Sequence, residues 1–389
     1  MSKLGTEESN TIAAAEALQP TLRERANEIE QARRLPADLS KQFAAAGFYR
    51  MCVPKVYGGL ELAPAASMQT IEALARADGS AAWCVFIGAT SGSALAALPE
   101  AAAREVFATP ETLLCGVFAP HGEATRVDGG FRVTGRWPWG SGTQNADWIL
   151  GGCRLFSDGE PLLLPNGTPR SHMMLAPASD VEILDTWYVS GLNGSGSTDF
   201  AMHDVFIPES RAVGFSRVRR PEGPLYAFPN FGLLAMGIAA VSLGLARAAI
   251  DELVRIAGEK VRQGTSRSLA RRPAAQADTA EAWALLRSGR AFFYDAIAEA
   301  WENATTTGEI KIERRRDLRL ATTHAVRSSA RAVDLMYELG GGTSVFRTSV
   351  LQRIFRDVHV TTQHMMVSHS TLELTGRLLL GVETDTSML

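Results

Sequence analysis

The chain has 389 residues, of which 46% are hydrophobic and 21% charged, and its formal net charge is -3. This apolar content is enough for a large core and excludes a chain that is disordered throughout, while the length suggests two or three domains of roughly 150 residues. Because there is no surplus of positive charge to neutralise a phosphate backbone, we expect no nucleic-acid partner.

The four cysteines, Cys52, Cys84, Cys115 and Cys153, are widely separated, and none belongs to a CxxC pair. The sequence therefore indicates neither a zinc site nor a disulfide framework, and we expect reduced, mostly buried thiols. The N-terminal segment is acidic where a signal peptide needs basic residues. We interpret the apolar runs as too short for the 18 residues of a membrane span. We expect a soluble, cytoplasmic protein.

A helical domain is expected over residues 1–112. From about Thr11 to Thr109 apolar residues recur at spacings of three and four, which is typical of packed helices. One interruption, residues 53–60, combines proline with paired glycines and predicts a shaped loop. The loop is either a simple connector or the wall of a substrate pocket, in which case Tyr57 is a candidate contact.

A β domain is expected over residues 113–225, where short alternating runs are separated by turn residues. Asp128 and Gly129, followed by an apolar run that begins at Phe131, predict a tight hairpin because glycine adopts positive φ without steric cost. A linker rich in proline and glycine, residues 219–229, ends this domain.

A second helical domain is expected over residues 226–389. Three long helical patterns cover Gly237 to Ala257, Thr279 to Glu302 and Leu318 to Leu339. Helices of this length pack side by side as a bundle.

The common cofactor and nucleophile motifs do not occur in the sequence. Residues 191–196 have the composition of a dinucleotide-binding loop, but the glycine spacing is wrong and the segment lies among strands rather than before a helix. A P-loop, an HExxH motif and a GxSxG elbow are also missing.

Residues 135–148 form the first of two candidate clusters. Three tryptophans flank a turn at Ser141 and Gly142, so this segment can present ring faces, a hydroxyl and backbone N–H groups to a planar polar ring. A tryptophan-rich sheet that packs on the helical domain is the alternative interpretation.

The second cluster contains His359, His364 and His369. A spacing of five residues does not bring three histidines to one helix face, so we expect no metal site. Histidine is the usual proton handler in catalysis, although a purely structural role for each ring stays open.

Over nearly its whole length the sequence resembles the acyl-CoA dehydrogenase superfamily, on motifs at residues 53–59, 187–199, 335–342 and 353–357. The resemblance implies an α+β fold, with an N-terminal helical domain, a middle β-barrel or sandwich and a C-terminal four-helix bundle. It further implies a homotetramer with flavin bound at the domain junction.

Counting from Asp357, the position at which a dehydrogenase of this family carries its glutamate base holds Met365. A thioether cannot accept the substrate proton, so the usual dehydrogenase mechanism is not supported. A relocated base is the alternative, and it would have to be Glu373 or Asp199.

The middle domain instead is similar to two-component, reduced-flavin monooxygenases (group D), on residues 116–122, 135–137, 141–142 and 146–148. This similarity implies that a separate NAD(P)H:flavin reductase supplies FADH2 or FMNH2. It also implies that O2 is the co-substrate and that a flavin hydroperoxide hydroxylates a small aromatic or heteroaromatic compound, indole-like compounds included, in aromatic catabolism. Many phenol-hydroxylating members have histidine at the position of Asn145, which puts a simple phenol in doubt.

The same resemblance implies individual roles. The catalytic residues would be His364, in register with a histidine of that branch, and Ser141. The flavin contacts would be Phe118, Trp139, Ser141, Gly142, Arg267, Gly340, Gly341 and Gly342, and the substrate contacts Asn145, Tyr57 and Met365. The choice between FAD and FMN stays open, as do a dehydrogenase-type enzyme and a non-catalytic flavoprotein.

Overall fold

A computed structural model describes residues 5–95, 97–214, 222–261 and 266–389. It confirms the expected order of helices, sheet and helices and an acyl-CoA dehydrogenase-like fold. The first four residues of the acidic N-terminal segment and residues 219–221 of the expected linker lie outside the described part.

Within the described residues, five α-helices precede the sheet. They are α1 (Thr6–Ala32), α2 (Ala37–Ala45), α3 (Pro64–Ala75), α4 (Gly79–Leu95) and α5 (Glu100–Val106). Helix α4 is apolar around much of its circumference, and Ala82, Val85 and Phe86 are fully buried. A helix with this pattern belongs at the centre of a fold, and α4 packs between the other helices and the first strand.

The predicted loop at residues 53–60 is shaped by close contacts. A Cβ on Gly59 would lie 1.9 Å from the Val53 carbonyl oxygen, so only glycine fits there. Buried Arg50 donates to the carbonyl oxygens of Tyr57, at 3.0 Å, and Gly58, at 3.1 Å. The loop therefore has a fixed conformation, in which one guanidinium satisfies two of its main-chain acceptors.

The middle region is one mixed sheet in the order β6-β7-β2-β1-β3-β5-β8, with β4 beside β3. The strands are β1 (Leu114–Val127), β2 (Gly130–Gly140), β3 (Trp148–Ser157), β4 (Glu160–Pro161), β5 (Ser171–Pro177), β6 (Glu182–Leu184), β7 (Thr198–Pro208) and β8 (Ala212–Gly214). The predicted hairpin joins β1 to β2, and Gly129 has φ +74°.

Register shifts interrupt the pairing of two pairs of strands in this sheet. The pairing of β1 with β3 shifts register between Val117 and Gly122, and the pairing of β2 with β7 shifts between Trp137 and Gly140. Fully buried Trp137 lies at this point and donates from its indole N–H to the Gly152 carbonyl at 2.7 Å. Strand irregularities often re-aim side chains beside functional sites.

In the part of the chain that the structure describes, five α-helices follow the sheet: α6 (Asn230–Ala257), α7 (Pro273–Thr307), α8 (Ile312–Gly340), α9 (Val350–Thr362) and α10 (His369–Leu379). Helices α6 to α9 pack as the expected bundle. One expectation needs correction, because α6 is long and apolar enough to cross a membrane by length and composition. Since 83% of its most apolar window is buried inside the protein, α6 is apolar because it is the central core helix.

All four cysteines are free and buried, as expected. Burial raises the pKa of both Cys52 and Cys84 to about 12, because an apolar environment disfavours the thiolate. Thiols of this kind are unreactive at neutral pH.

Candidate functional site

Ser141 follows the last residue of β2 in a tight turn. Its N–H donates to the Trp139 carbonyl at 2.9 Å, and the N–H of Gly142 donates to the Ser195 carbonyl at 3.0 Å. Gly142 has φ +74°, a conformation that favours glycine. The turn therefore holds the Ser141 side chain in one orientation against the helical domain.

Trp83 on α4 connects the two residues expected to be catalytic. Its indole N–H donates to Ser141 Oγ at 3.0 Å, and its ring centroid lies 6.2 Å from that of His364. Trp83 is only 7% exposed. Ser141 from the β domain and His364 from the C-terminal domain thus meet at one buried ring from the N-terminal domain.

His364 follows α9 and begins a short 3-10 turn, where its Nδ1 accepts the Met366 N–H at 3.2 Å. Burial, and secondarily the Arg319 cation, lower the pKa of His364 to about 4. The ring is therefore neutral near pH 7. Because Nδ1 accepts a hydrogen bond, the proton of the neutral ring is on Nε2, and the ring offers an N–H donor.

Arg319 of α8 holds the segment that carries His364. Its guanidinium is 3% exposed and donates to the carbonyl oxygens of Met366, at 2.9 Å, and Met388, at 2.7 Å. A buried charge that is hydrogen-bonded on two sides resists displacement, so the turn after α9 has a fixed position.

Phe118 and Trp139 lie at the two irregular positions of the sheet. Trp139 is 67% exposed and has φ +64°, a strained conformation for a residue with a side chain. Phe118 packs edge-on against Phe231 of α6, with ring centroids 5.9 Å apart. Trp139 thus presents an exposed aromatic ring, and Phe118 connects β1 to α6.

The three expected substrate contacts have different surroundings. Asn145 donates from Nδ2 to the Leu35 carbonyl at 2.8 Å, so it also ties the turn after β2 to the segment after α1. The ring of Tyr57 stacks on Phe107, with centroids 6.2 Å apart. Met365 is 63% exposed, beside His364.

Most of the expected phosphate contacts lie on the surface, whereas Gly340 is buried. Gly340 ends α8, and Gly341, with φ +55°, and Gly342 are exposed and have open space where a Cβ would stand. Arg267 is exposed ahead of α7. The turn at the end of α8 leaves room for a close approach of another molecule.

Of the three histidines, His364 is the one whose ring lies beside Trp83. His359 pairs with Asp334 at 2.8 Å and packs edge-on against Phe355. His369 begins α10 and is exposed.

The two relocated bases that a dehydrogenase would need are engaged elsewhere. Asp199 accepts from Arg136 at 2.7 Å and from the Thr186 hydroxyl at 2.9 Å. Glu373 is exposed on α10, with Arg377 4.0 Å away. Neither carboxylate is placed by these contacts beside Trp83.

Family models match the chain as acyl-CoA dehydrogenase N-terminal domain over residues 6–107 and C-terminal domain over residues 236–369. The chain is 37% identical to indole-3-acetate monooxygenase of Pseudomonas putida, over 95% of this chain and 93% of that protein. It is 31% identical to the flavin-dependent monooxygenase oxygenase subunit HsaA of Rhodococcus jostii, over 90% of this chain and 92% of that protein. The chain belongs to the flavin-dependent monooxygenase branch of the acyl-CoA dehydrogenase superfamily.

A solved structure with bound reduced flavin agrees with this membership. XiaF from Streptomyces sp., in complex with FADH2 and glycerol, matches with a TM-score of 0.89 and 25% identity, over 97% of this chain and 96% of that chain. The protein is therefore the oxygenase component of a flavin-dependent monooxygenase that uses reduced flavin and O2 to hydroxylate a small aromatic molecule, and a separate reductase supplies the flavin.

The site of this monooxygenase fits a reduced flavin chemically. A serine hydroxyl has two lone pairs, and Trp83 uses one of those on Ser141. The remaining lone pair can accept the N–H that a reduced isoalloxazine ring presents. Exposed Trp139, two residues before Ser141 in sequence, offers a ring face.

The sequence interpretation missed Trp83 and Arg319. A single tryptophan in a helix made largely of Ala, Ser and Gly, as in α4, is a signal that could have marked Trp83, since small neighbours leave room for a partner ring. Arg319 carries no comparable signal, because its partners are main-chain carbonyls distant in sequence.

Proposed function

We propose that this monooxygenase hydroxylates a small heteroaromatic substrate of the indole class, with Ser141 and His364 as its catalytic residues. The observation that carries the proposal is the contact of Trp83 with both side chains. The 37% identity to an indole-3-acetate monooxygenase supports the substrate class.

When bound, reduced flavin supplies the electrons with which O2 is activated so that one oxygen atom enters the substrate. Ser141 accepts a hydrogen bond from the reduced ring and positions it. Trp83 and Phe118 exclude water from the reacting edge. His364 donates a hydrogen bond from Nε2–H toward the substrate or the reacting oxygen, and Arg319 keeps that donor in place.

Asn145 offers the proposed substrate a hydrogen-bond acceptor. One Nδ2 hydrogen is engaged by the Leu35 carbonyl, which leaves Oδ1 as an acceptor. An indole N–H is a donor that matches this acceptor. Tyr57 and Met365 complete the proposed substrate contacts.

The remaining contacts belong to the far end of the cofactor. Arg267 and the turn at Gly340, Gly341 and Gly342 bind the phosphate end of FAD or FMN, across a subunit interface of a homotetramer. Exposed Gly341 and Gly342, with open space where a Cβ would stand, support a main-chain phosphate contact. We place the enzyme in the cytoplasm, with domain boundaries near residues 112 and 225.

The test supplies purified protein with reductase-generated FADH2 or FMNH2, 18O2 and indole-3-acetate, with indole and 4-hydroxyphenylacetate for comparison. We expect one 18O atom in an indole product, measured by mass spectrometry. His364→Ala should lower product formation by about 10²-fold, the usual loss for a proton-handling group. Ser141→Ala should divert oxygen to H2O2.

His364→Gln, which restores an N–H near the position of Nε2, should recover part of the product. The control is His369→Gln, an exposed histidine at the start of α10, which should behave as wild type. No 18O in any product, together with bleaching of bound oxidised flavin by an acyl-CoA, would overturn the proposal in favour of a dehydrogenase.

A further inference from the structure

Ser141 is the first hydroxyl of a buried chain of hydrogen bonds. Its Oγ lies 2.6 Å from Ser197 Oγ, which lies 2.8 Å from Ser195 Oγ, and Ser195 Oγ donates to the Leu192 carbonyl at 2.7 Å. The indole N–H of Trp83 enters the chain at Ser141. This chain of hydrogen bonds, called the serine chain below, therefore has a donor at one end and an acceptor at the other.

The acceptor end determines the direction of every hydrogen bond in the serine chain. A carbonyl oxygen only accepts, so the single hydrogen of Ser195 is committed to Leu192. Ser197 must then donate to Ser195, and Ser141 must donate to Ser197. Trp83 is compatible with this direction, because its indole N–H only donates and occupies one lone pair of Ser141.

The environment keeps this direction. Ser195 is 1% exposed and Ser197 4% exposed, so water is largely kept from replacing either partner. The Ser195 carbonyl also accepts the Gly142 N–H, which ties the chain to the turn of Ser141. In such a dry site an unsatisfied hydroxyl is costly, and a fully connected chain resists reversal.

Ser141 has consequently used its hydrogen and one of its two lone pairs, and only an acceptor lone pair is left. We propose that the serine chain makes Ser141 an obligatory acceptor and thereby selects reduced over oxidised flavin. This inference rests on the proposed contact of Ser141 with the flavin ring.

The selection follows from flavin chemistry. The reduced ring carries a hydrogen on N5 and donates to Ser141, whereas N5 of the oxidised ring has only a lone pair. Two acceptors that face each other in a buried site lose a hydrogen bond and repel. Ser195 and Ser197 are thus positioning residues, which help the oxygenase capture the reduced flavin and release the oxidised form.

The test measures the Kd of reduced and oxidised flavin separately, under anaerobic conditions, by tryptophan fluorescence quenching and equilibrium dialysis. The probe is FMN and, in parallel, FAD. In Ser197→Ala the Ser141 hydrogen is free to donate to oxidised N5. We expect the ratio of oxidised to reduced Kd to fall by about tenfold, the equivalent of one neutral hydrogen bond.

Ser195→Ala provides a second, independent variant. Ser197 then loses its acceptor and can donate to Ser141, which again releases the Ser141 hydrogen, so the ratio should fall in the same direction. Ser197→Thr keeps a hydroxyl and should retain the wild-type ratio. Thr323→Val removes a buried hydroxyl pair with Thr371 elsewhere and controls for the loss of any buried hydroxyl.

The outcomes separate this inference from the proposed function. Ser197→Ala and Ser195→Ala variants that bind both flavins with the wild-type ratio would overturn the selection by the serine chain and leave the monooxygenase proposal intact. Wild-type protein that binds neither flavin would overturn both. The inference is supported if the ratio of oxidised to reduced Kd is lower in both alanine variants and returns to the wild-type value in Ser197→Thr.

Discussion

Met365 and His364 show at the scale of single residues how one family supports two chemistries. The position of the dehydrogenase glutamate is an exposed thioether that cannot accept a proton. Its neighbour His364 is turned toward Trp83 and held by the Met366 N–H. The site has therefore lost a carboxylate base and has a neutral N–H donor next to that position.

The first prediction concerns the protonation of His364. Its pKa is lowered to about 4, so the ring should stay neutral throughout the range of pH 5.5 to 8. The unfolded chain, with a histidine pKa of about 6.5, binds this proton more readily, so the contribution of His364 lowers stability as pH falls from about 6.5 toward 4. NMR titration of 15N-labelled histidines, with His364→Asn to assign the signal, measures the pKa.

A native His364 that titrates near 6.5 would contradict this prediction. It would mean that the ring is solvated and that the bond from Met366 does not persist in solution.

At the scale of elements, α9 is joined to the segment before β7 by a buried carboxylate. Asp357 accepts the Leu192 N–H at 2.6 Å. Burial raises the pKa of Asp357 to about 7, against the opposing effect of this hydrogen bond, and buried Asp78 raises it further, while Arg353 and Arg356 lower it. By accepting the Leu192 N–H, Asp357 also fixes the position of Leu192, whose carbonyl is the last acceptor of the serine chain.

The second prediction follows from the sign of that shift. Between pH 4 and 7 native Asp357 holds a proton that the unfolded chain has lost, so its contribution to stability falls as pH rises through this range. Asp357→Asn keeps an acceptor for Leu192 and removes the titration. We expect a flatter profile of Tm against pH and a gain on the order of 1 to 2 kcal/mol at pH 8.

Calorimetry from pH 5 to 8 checks this result, with Glu373→Gln on exposed α10 as the control. Parallel Tm profiles for wild type and Asp357→Asn would show that Asp357 is ionised in the native protein over this range.

At the scale of the whole molecule, the turn after α8 carries an apolar surface next to the proposed phosphate contacts. Val345 is 69% exposed, Phe346 65% and Val350 37%. Contiguous exposed apolar residues are typical of protein interfaces. This surface supports the proposed homotetramer and a shared cofactor site at Gly340 to Gly342.

The third prediction tests that assembly. Phe346→Asp places a charge in the proposed interface and should convert tetramers into smaller species, because an unpaired charge is costly to bury. Light scattering coupled to size-exclusion chromatography gives the mass, and flavin titration should show weaker binding in the smaller species. Leu163→Asp, at an exposed apolar position of the β domain, should leave the mass unchanged.

A Phe346→Asp protein with the mass of the wild type would place the interface elsewhere. Dissociation with unchanged flavin affinity would instead separate the phosphate contacts from the subunit interface.

The sequence by itself determined the local features of this protein. Helical periodicity predicted the helices on both sides of the sheet, and Asp128 with Gly129 predicted the hairpin, because periodicity and positive φ are properties of short segments. Short motifs likewise identified the monooxygenase branch and the exclusion of a glutamate base at Met365. Only the tertiary structure decided that Trp83 joins Ser141 to His364, and in which direction the Ser141 hydrogen points. These contacts join segments that are far apart in sequence, so no sequence spacing predicts them. The direction of each hydrogen bond in the serine chain depends on all of its buried partners together.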